Sequence, residues 1–260
     1  MKNLEIILIE NYLINKVIIG KNIAIAILLL PIASTAQHTT QHINILWAGY
    51  NNTLRFNKNW SLITDAQMRT TDWANKWLLY AFRSGLSYNF NDNFTVSSGL
   101  TLFRTAQYAG KDFFLKNEWR PWEEVSYNLK LNKTNFFQRL RTEQRFLQLT
   151  LNNKKTNSYQ YIFRLRYRFE WQFPLKKDII KLLAGNEVFV NPGYLNNTLF
   201  FDQNRTFAGL NFKLTSNSFL QSQYIKIFQW RSTTSVLEDQ NVIRINFIQK
   251  FNLNKDKKKI

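Results

Sequence analysis

The sequence contains no cysteine, and this absence removes several kinds of chemistry at once. Disulfide bridges, thiolate metal sites and cysteine nucleophiles are all excluded. Histidine is almost as scarce, because His38 and His42 are the only two and both lie near the N-terminus. We assign this pair to a flexible leader. We therefore expect no metal site, no Ser-His-Asp triad, no cofactor and no catalytic residue in this chain.

Acidic residues are also few, and this shortage raises the question of nucleic acid. The 260 residues include 17 Asp and Glu against 35 Lys and Arg, which gives a formal net charge of +18. Such a balance suggests a nucleic-acid partner when the basic residues cluster on one accessible face. Their placement, described below, does not follow that pattern, so no nucleic-acid partner is expected. Disorder is also disfavoured, because 45% of the residues are hydrophobic and 16% are aromatic.

Long hydrophobic runs are absent except near the N-terminus. Residues 22–37, NIAIAILLLPIASTAQ, follow two lysines and end with the small residues Ser34 and Ala36. This pattern predicts a secretory signal peptide, residues 1–36, cleaved before the following glutamine. A transmembrane anchor is the alternative, but the apolar core is shorter than the about 20 residues needed to span a bilayer, and Pro31 interrupts it.

The remaining chain alternates large apolar residues with polar or charged ones. Between Tyr159 and Phe173, every second residue is aromatic or leucine, and the intervening positions hold Gln, Ile, Arg and Glu. This period of two is typical of β-strands. Most such segments exceed the about 5–6 residues usual in soluble proteins and reach the about 9–11 of a tilted membrane strand. The predicted strands are 45–57, 60–71, 76–90, 94–105, 117–131, 136–151, 159–173, 179–191, 203–215, 219–230 and 240–253.

The connections between these strands alternate in predicted length. Short polar turns, such as 57–59 and 174–178, alternate with longer loops at 105–116, 191–202 and 231–239. Short turns at one end and long loops at the other are typical of outer-membrane barrels. We therefore predict an all-β fold, a transmembrane antiparallel up-and-down β-barrel of about 10–12 strands.

The predicted barrel occupies residues 37–254, and a solvated Lys-rich tail follows at residues 255–260. Eleven predicted strands conflict with the even number that bacterial single-chain barrels prefer. A strand missed within residues 38–44, or one assigned wrongly near Pro121, would restore the even number.

The charges occupy one face of nearly every strand. A lipid-facing arginine at the bilayer midplane costs about 2–4 kcal/mol, so these faces are expected to point into a polar lumen. A soluble β-sandwich or lipocalin-like barrel would instead turn the apolar face inward, but a small barrel cannot house so many rings. The expected lumen charge network comprises Arg139, Arg141, Glu143, Arg145, Arg164, Arg166, Arg168, Glu170, Glu187, Arg205 and Arg244.

The tryptophans are expected to mark the edges of the membrane. Trp and Tyr are enriched where a membrane meets water, because their rings are amphipathic. Tryptophans lie near predicted strand ends at Trp47, Trp60, Trp77, Trp119, Trp171 and Trp230.

Four segments resemble a known family. The sequences RLRTEQR at 139–145, RLRYR at 164–168, GNEVFVN at 185–191 and FDQNR at 201–205 are similar to an outer-membrane barrel family, domain-of-unknown-function family 2490. The resemblance covers most of residues 46–253. It implies a Gram-negative cell outer membrane, reached after export by the cleavable signal peptide. The expected partners are outer-membrane lipids and, during biogenesis, the barrel-assembly machinery. The family resemblance implies no activity, ligand or catalytic residue.

Three functions are compatible with this sequence. The first is a scaffold or loop-borne binding surface, with a closed lumen filled by a structural ion-pair network. The second is a narrow anion-favouring channel or small-solute transporter. The third, an enzyme modifying lipid or glycan, is disfavoured. The adjacent Glu123 and Glu124 point to opposite faces of a strand, and no histidine lies within a predicted strand to activate a serine.

The segment 191–202 allows two interpretations. Asp202 and Arg205 begin the strand that follows this long loop. They either cap that strand or help the loop to hold a ligand.

Overall fold

The computed structural model describes residues 40–109, 112–176, 179–193, 200–231 and 236–253. The expected signal peptide, residues 1–36, and the Lys-rich tail, residues 255–260, lie outside the described residues. No helix in these ranges is long and apolar enough to cross a membrane.

The described residues form one closed barrel of eleven strands, which confirms the all-β prediction. Every predicted strand is present. In chain order the strands are β1 (Thr40–Arg55), β2 (Trp60–Thr71), β3 (Lys76–Asn89), β4 (Phe94–Ala109), β5 (Asp112–Leu131), β6 (Thr134–Leu151), β7 (Lys154–Lys176), β8 (Ile180–Val190), β9 (Phe201–Lys213), β10 (Ser218–Arg231) and β11 (Val236–Asn252).

The barrel closes through a parallel pairing of its first and last strands. β1 runs beside β11 from Thr40, opposite Leu237, to Arg55, opposite Asn252. All other neighbouring strands are antiparallel. An odd number of strands in an up-and-down order requires one parallel seam, because strands 1 and 11 then run in the same direction. The predicted antiparallel up-and-down barrel is therefore confirmed, with this seam as its one parallel pairing.

Neither suggested remedy for the odd count is needed. Residues 40–44 belong to β1 itself, and His42 lies in that strand and not in a flexible leader. β5 is continuous through Pro121. Its pairing with β6 is interrupted only at Arg120 and Pro121, where proline has no N–H to donate.

The expected alternation of short turns and long loops is largely wrong, because the strands extend further than predicted. β4 and β5 form a hairpin that pairs Ala109 with Asp112 inside the expected loop 105–116. β7 continues through Pro174 to Lys176, with an irregularity in its pairing to β8 at that point. The connection between Val190 and Phe201 is longer than any other connection between consecutive strands. We call its end of the barrel the upper end, and the end that holds the β1–β2 turn the lower end.

The two faces of the wall differ sharply in character. Side chains on the outer face are large, apolar and exposed, as at Phe82, Leu140 and Ile245. The inner face holds most of the buried charges. A monomeric soluble protein rarely exposes apolar surface that surrounds the whole molecule, so this outer face requires an apolar environment.

Glycines let one large ring pack flat against the inner wall. Trp122 is fully buried over Gly85 and Gly99, which pair across β3 and β4. A Cβ atom added at Gly99 would lie 2.7 Å from the indole and 2.2 Å from the backbone oxygen of Ser84. The other side of the indole faces the lumen, where the Arg141 guanidinium lies 4.7 Å from the ring centroid. The glycine pair therefore helps to position one of the charged groups described next.

Candidate functional site

The lumen contains an ion-pair network with Glu143 of β6 near its centre. Glu143 is 1% exposed. Its carboxylate pairs with the Arg166 guanidinium and lies 3.1 Å from Nη1 of Arg120. Nη1 atoms of Arg141 and Arg164 lie 3.9 Å away on either side. One carboxylate thus faces four guanidinium groups from three adjacent strands, an arrangement that fits the preference of arginine for buried pairing.

Glu187 of β8 is a second carboxylate shared by several arginines. Its Oε1 accepts hydrogen bonds of 2.6 Å from Nη2 of both Arg139 and Arg166. Nη1 of Arg168 lies 3.8 Å from its Oε2. Arg166 therefore bridges Glu143 and Glu187, and the two halves of the network are joined through one side chain.

Further pairs extend the network along the wall. The outer members are Arg145 with Glu118 at 2.6 Å, Arg141 with Glu124 at 2.5 Å, Arg164 with Asp202 at 2.6 Å, and Arg168 with Glu170. The structure places all the expected network residues on the inner face. It brings them together in ion pairs with the exception of Arg205 and Arg244.

The sequence prediction omitted four members of this network: Glu118, Arg120, Glu124 and Asp202. The three in β5 share the parity of the inner face, so the alternation contained the signal for them. Asp202 does not follow that rule, because the pairing of β8 with β9 is irregular at this point. It was expected either to cap β9 or to grip a ligand, and here it pairs with Arg164.

Four inner arginines have no carboxylate within ion-pair distance in the described part of the chain. Each instead donates a hydrogen bond to a neutral oxygen. The bonds run from Arg69 to Gln67 at 3.2 Å, from Arg83 to Thr101 at 3.3 Å, from Arg205 to Gln203 at 2.7 Å, and from Arg244 to Gln221 at 2.8 Å. These arginines give the lumen a surplus of positive charge.

Trp47 lies among these arginines and not at a membrane edge, so its assignment to an interface ring is wrong. It is 5% exposed and belongs to an inner apolar cluster. The guanidinium carbons of Arg69, Arg244 and Arg205 lie 3.6, 5.1 and 5.8 Å from its ring centroid. A cation over an indole face is stabilised by the ring quadrupole, so Trp47 partly replaces the missing carboxylates. The rest of the cluster is Ile45, Phe207, Ile225, Ile227 and Val242.

The lumen is divided into small cavities. A cavity of about 230 Å³ lies nearer the lower end and one of about 180 Å³ nearer the upper end. Trp47, Gln67, Arg83, Arg166 and Arg205 line both cavities, and therefore form the layer between them.

A third cavity, of about 400 Å³, lies at the lower end. Its lining includes Lys181, Lys213 and Lys250. The lower entrance is therefore positively charged, like the layer of arginines above it.

Other candidate groups lie outside the lumen. Glu123 points away from Glu124 and accepts hydrogen bonds from Thr142 and Gln144 on the outer face. His42 lies 3.2 Å from Asp239 across the β1–β11 seam. No group of three or more potential metal-ligating side chains occurs in the ranges that the structure describes.

Comparisons with known proteins identify the family of this chain. The family profile described as "Protein of unknown function (DUF2490)" matches residues 44–238. No curated protein matches the sequence. A solved structure of the NanC porin is similar with a TM-score of 0.43 and 11% identity, over 72% of this chain and 88% of that chain.

Proposed function

The chain belongs to the DUF2490 family, whose function is unknown, and we propose that it is an outer-membrane β-barrel with a closed lumen. The exposed apolar outer face supports a position in lipid, because each strand of the closed barrel pairs with a neighbour on both sides and no sheet edge is left open. Exposed Trp60 near the lower end, and Trp77 and Trp119 nearer the upper end, support two interface rings.

The role that the geometry supports best is a rigid scaffold, and the bridging of Glu143 and Glu187 by Arg166 is the observation that carries it. Ion pairs that cross several strands hold the inner wall together. They also occupy the space through which a solute would pass. The scaffold would present its connecting loops as the binding surface.

Planar-bilayer recording tests the closed state directly. We expect the folded wild-type barrel to insert without producing stepwise ionic current, because the layer around Trp47 and Arg166 separates the two inner cavities. Insertion is verified independently by protection of the barrel from added protease. Regular current steps from protease-protected barrels would contradict the closed scaffold.

A second candidate function is a gated, anion-favouring pathway. The inner arginines without carboxylate partners support it, because their uncompensated charge raises the local concentration of anions. Arg205 belongs to the layer that divides the lumen, and Arg69 and Arg244 lie beside it against Trp47. Lysines line the lower entrance of the lumen. Movement of that layer would connect cavities whose walls already carry positive charge.

A further inference from the structure

A shallow groove crosses the outer face of strands β1 to β4. Its volume is about 460 Å³. The small side chains of Ala48 and Ala66 form its floor, and Tyr50, Met68 and Phe82 rise beside them. A groove with small residues at its base and large apolar residues along its sides offers continuous van der Waals contact to an extended hydrocarbon chain.

A lone positive charge lies at one end of this groove. Arg104 of β4 lines it and is exposed on the outer face. It makes no ion pair or side-chain hydrogen bond with any residue in the described ranges. The strand register connects Ala48 to Met68, Met68 to Tyr80 and Tyr80 to Arg104, so the groove runs obliquely across four strands to the guanidinium.

The aromatic residues around Arg104 place it at the level of lipid headgroups. Leu102, two residues before it, pairs with the exposed Trp119 of β5. On the β3 side, Tyr80 pairs with Arg104. The Tyr80 ring contacts the Trp77 ring, with centroids 5.2 Å apart. Trp and Tyr collect where the hydrocarbon meets the headgroups, and an arginine there is tolerated far better than at the midplane.

Another outward-facing cation of the described strands is treated differently. Lys226 of β10 lies on the side of the barrel opposite Arg104. Its Nζ is 2.5 Å from Asp239 and 3.0 Å from Asn241, both in the neighbouring β11. Its charge is therefore neutralised within the protein. Arg104 has no such partner, so an anion from outside the chain is the group that complements it.

We propose that this groove binds a phosphate-bearing lipid, with an acyl chain along Ala48 and Ala66 and the phosphate on Arg104. A guanidinium offers two parallel N–H groups that match phosphate oxygens, which suits a planar, bidentate contact. The apolar groove and the lone cation select different parts of one molecule. The inference rests on the proposed position of the barrel in a membrane.

Native mass spectrometry of the detergent-solubilised barrel tests this site. Dioleoyl phosphatidic acid is titrated in, and dioleoylglycerol, which lacks the phosphate, is the matched lipid control. We expect Arg104→Gln to weaken binding of phosphatidic acid about tenfold, the scale of a lost charge-assisted contact. Ala66→Phe, which fills the floor of the groove, should weaken both lipids. Lys133→Gln removes a charge from an exposed lower turn and should leave both affinities unchanged.

Three outcomes would overturn the lipid site. Equal affinity of wild type and Arg104→Gln for phosphatidic acid would remove the role of the guanidinium. If inorganic phosphate displaced phosphatidic acid equally well from wild type and from Ala66→Phe, the site would be a free-anion site that is independent of the groove. A change of oligomeric state in Ala66→Phe without loss of lipid would identify the groove as a contact between copies. In each case a barrel that still needs detergent would leave the proposed membrane position standing.

Discussion

Replacing Glu143 with glutamine is expected to lower the free energy of unfolding of the barrel by about 3–5 kcal/mol, the cost of breaking a buried ion pair by removing one partner. The variant keeps nearly the same volume but removes the charge that faces Arg120 and Arg166. Those guanidinium groups would remain buried with too little negative charge nearby. Equilibrium unfolding in urea, followed by tryptophan fluorescence in lipid vesicles, measures the change.

Glu123→Gln provides a control for this experiment on the neighbouring strand. Glu123 faces outward and hydrogen-bonds only to the neutral Thr142 and Gln144, so its replacement should change stability by less than about 1 kcal/mol. Equal, small effects of the two substitutions would mean that the lumen network does not stabilise the barrel.

Replacing Trp47 with alanine is expected to turn a silent barrel into a conducting one. The indole lines both inner cavities, and its loss would join them beside the unpaired Arg69, Arg205 and Arg244. Currents through this variant should favour anions, because the exposed wall would carry guanidinium groups without carboxylates. Recording under a KCl gradient measures the preference from the sign of the reversal potential.

Trp60→Ala is the matched control, since it removes an exposed outer indole at the lower end. It should remain silent. Loss of Trp47 also removes buried apolar contacts and would cost about 3–5 kcal/mol, so a heat-modifiable electrophoretic shift must first verify that the variant is folded. A folded Trp47→Ala barrel that stays silent, or one that prefers cations, would contradict this description of the dividing layer.

The alternation of residues carried enough information to predict every strand and the inward charges of β6 and β7. The period of two indicates which residues share a face of a strand. The energetic cost of placing a charge in lipid then determines which face turns inward. The same parity places Glu118 and Arg120 on the polar face of β5, although the predicted network did not include them. The register of the parallel β1–β11 seam could not be predicted from alternation, because it depends on partners separated by almost the whole chain.

Two features of the lumen depend on geometry that alternation does not encode. Tryptophan is a residue type common at membrane interfaces, yet Trp47 lies beside Ile45 in the inner cluster. Closure of the barrel brings Ile225 and Val242 against it, and this contact is not visible in the alternation of β1. Asp202 enters the network because the β8–β9 pairing is irregular beside it. A local irregularity of this kind changes which face a side chain occupies.

Spin labelling along β7 tests the central claim, that the apolar face meets lipid and the charged face lines a closed lumen. The chain has no cysteine, so single cysteines at positions 161 to 166 can each carry one label in a bilayer. Labels at Tyr161, Phe163 and Leu165 should be relaxed strongly by oxygen, which concentrates in hydrocarbon. Labels at Arg164 and Arg166 should be immobilised and shielded from both oxygen and a water-soluble nickel complex. The reverse pattern, with the arginine positions exposed to oxygen, would contradict the account.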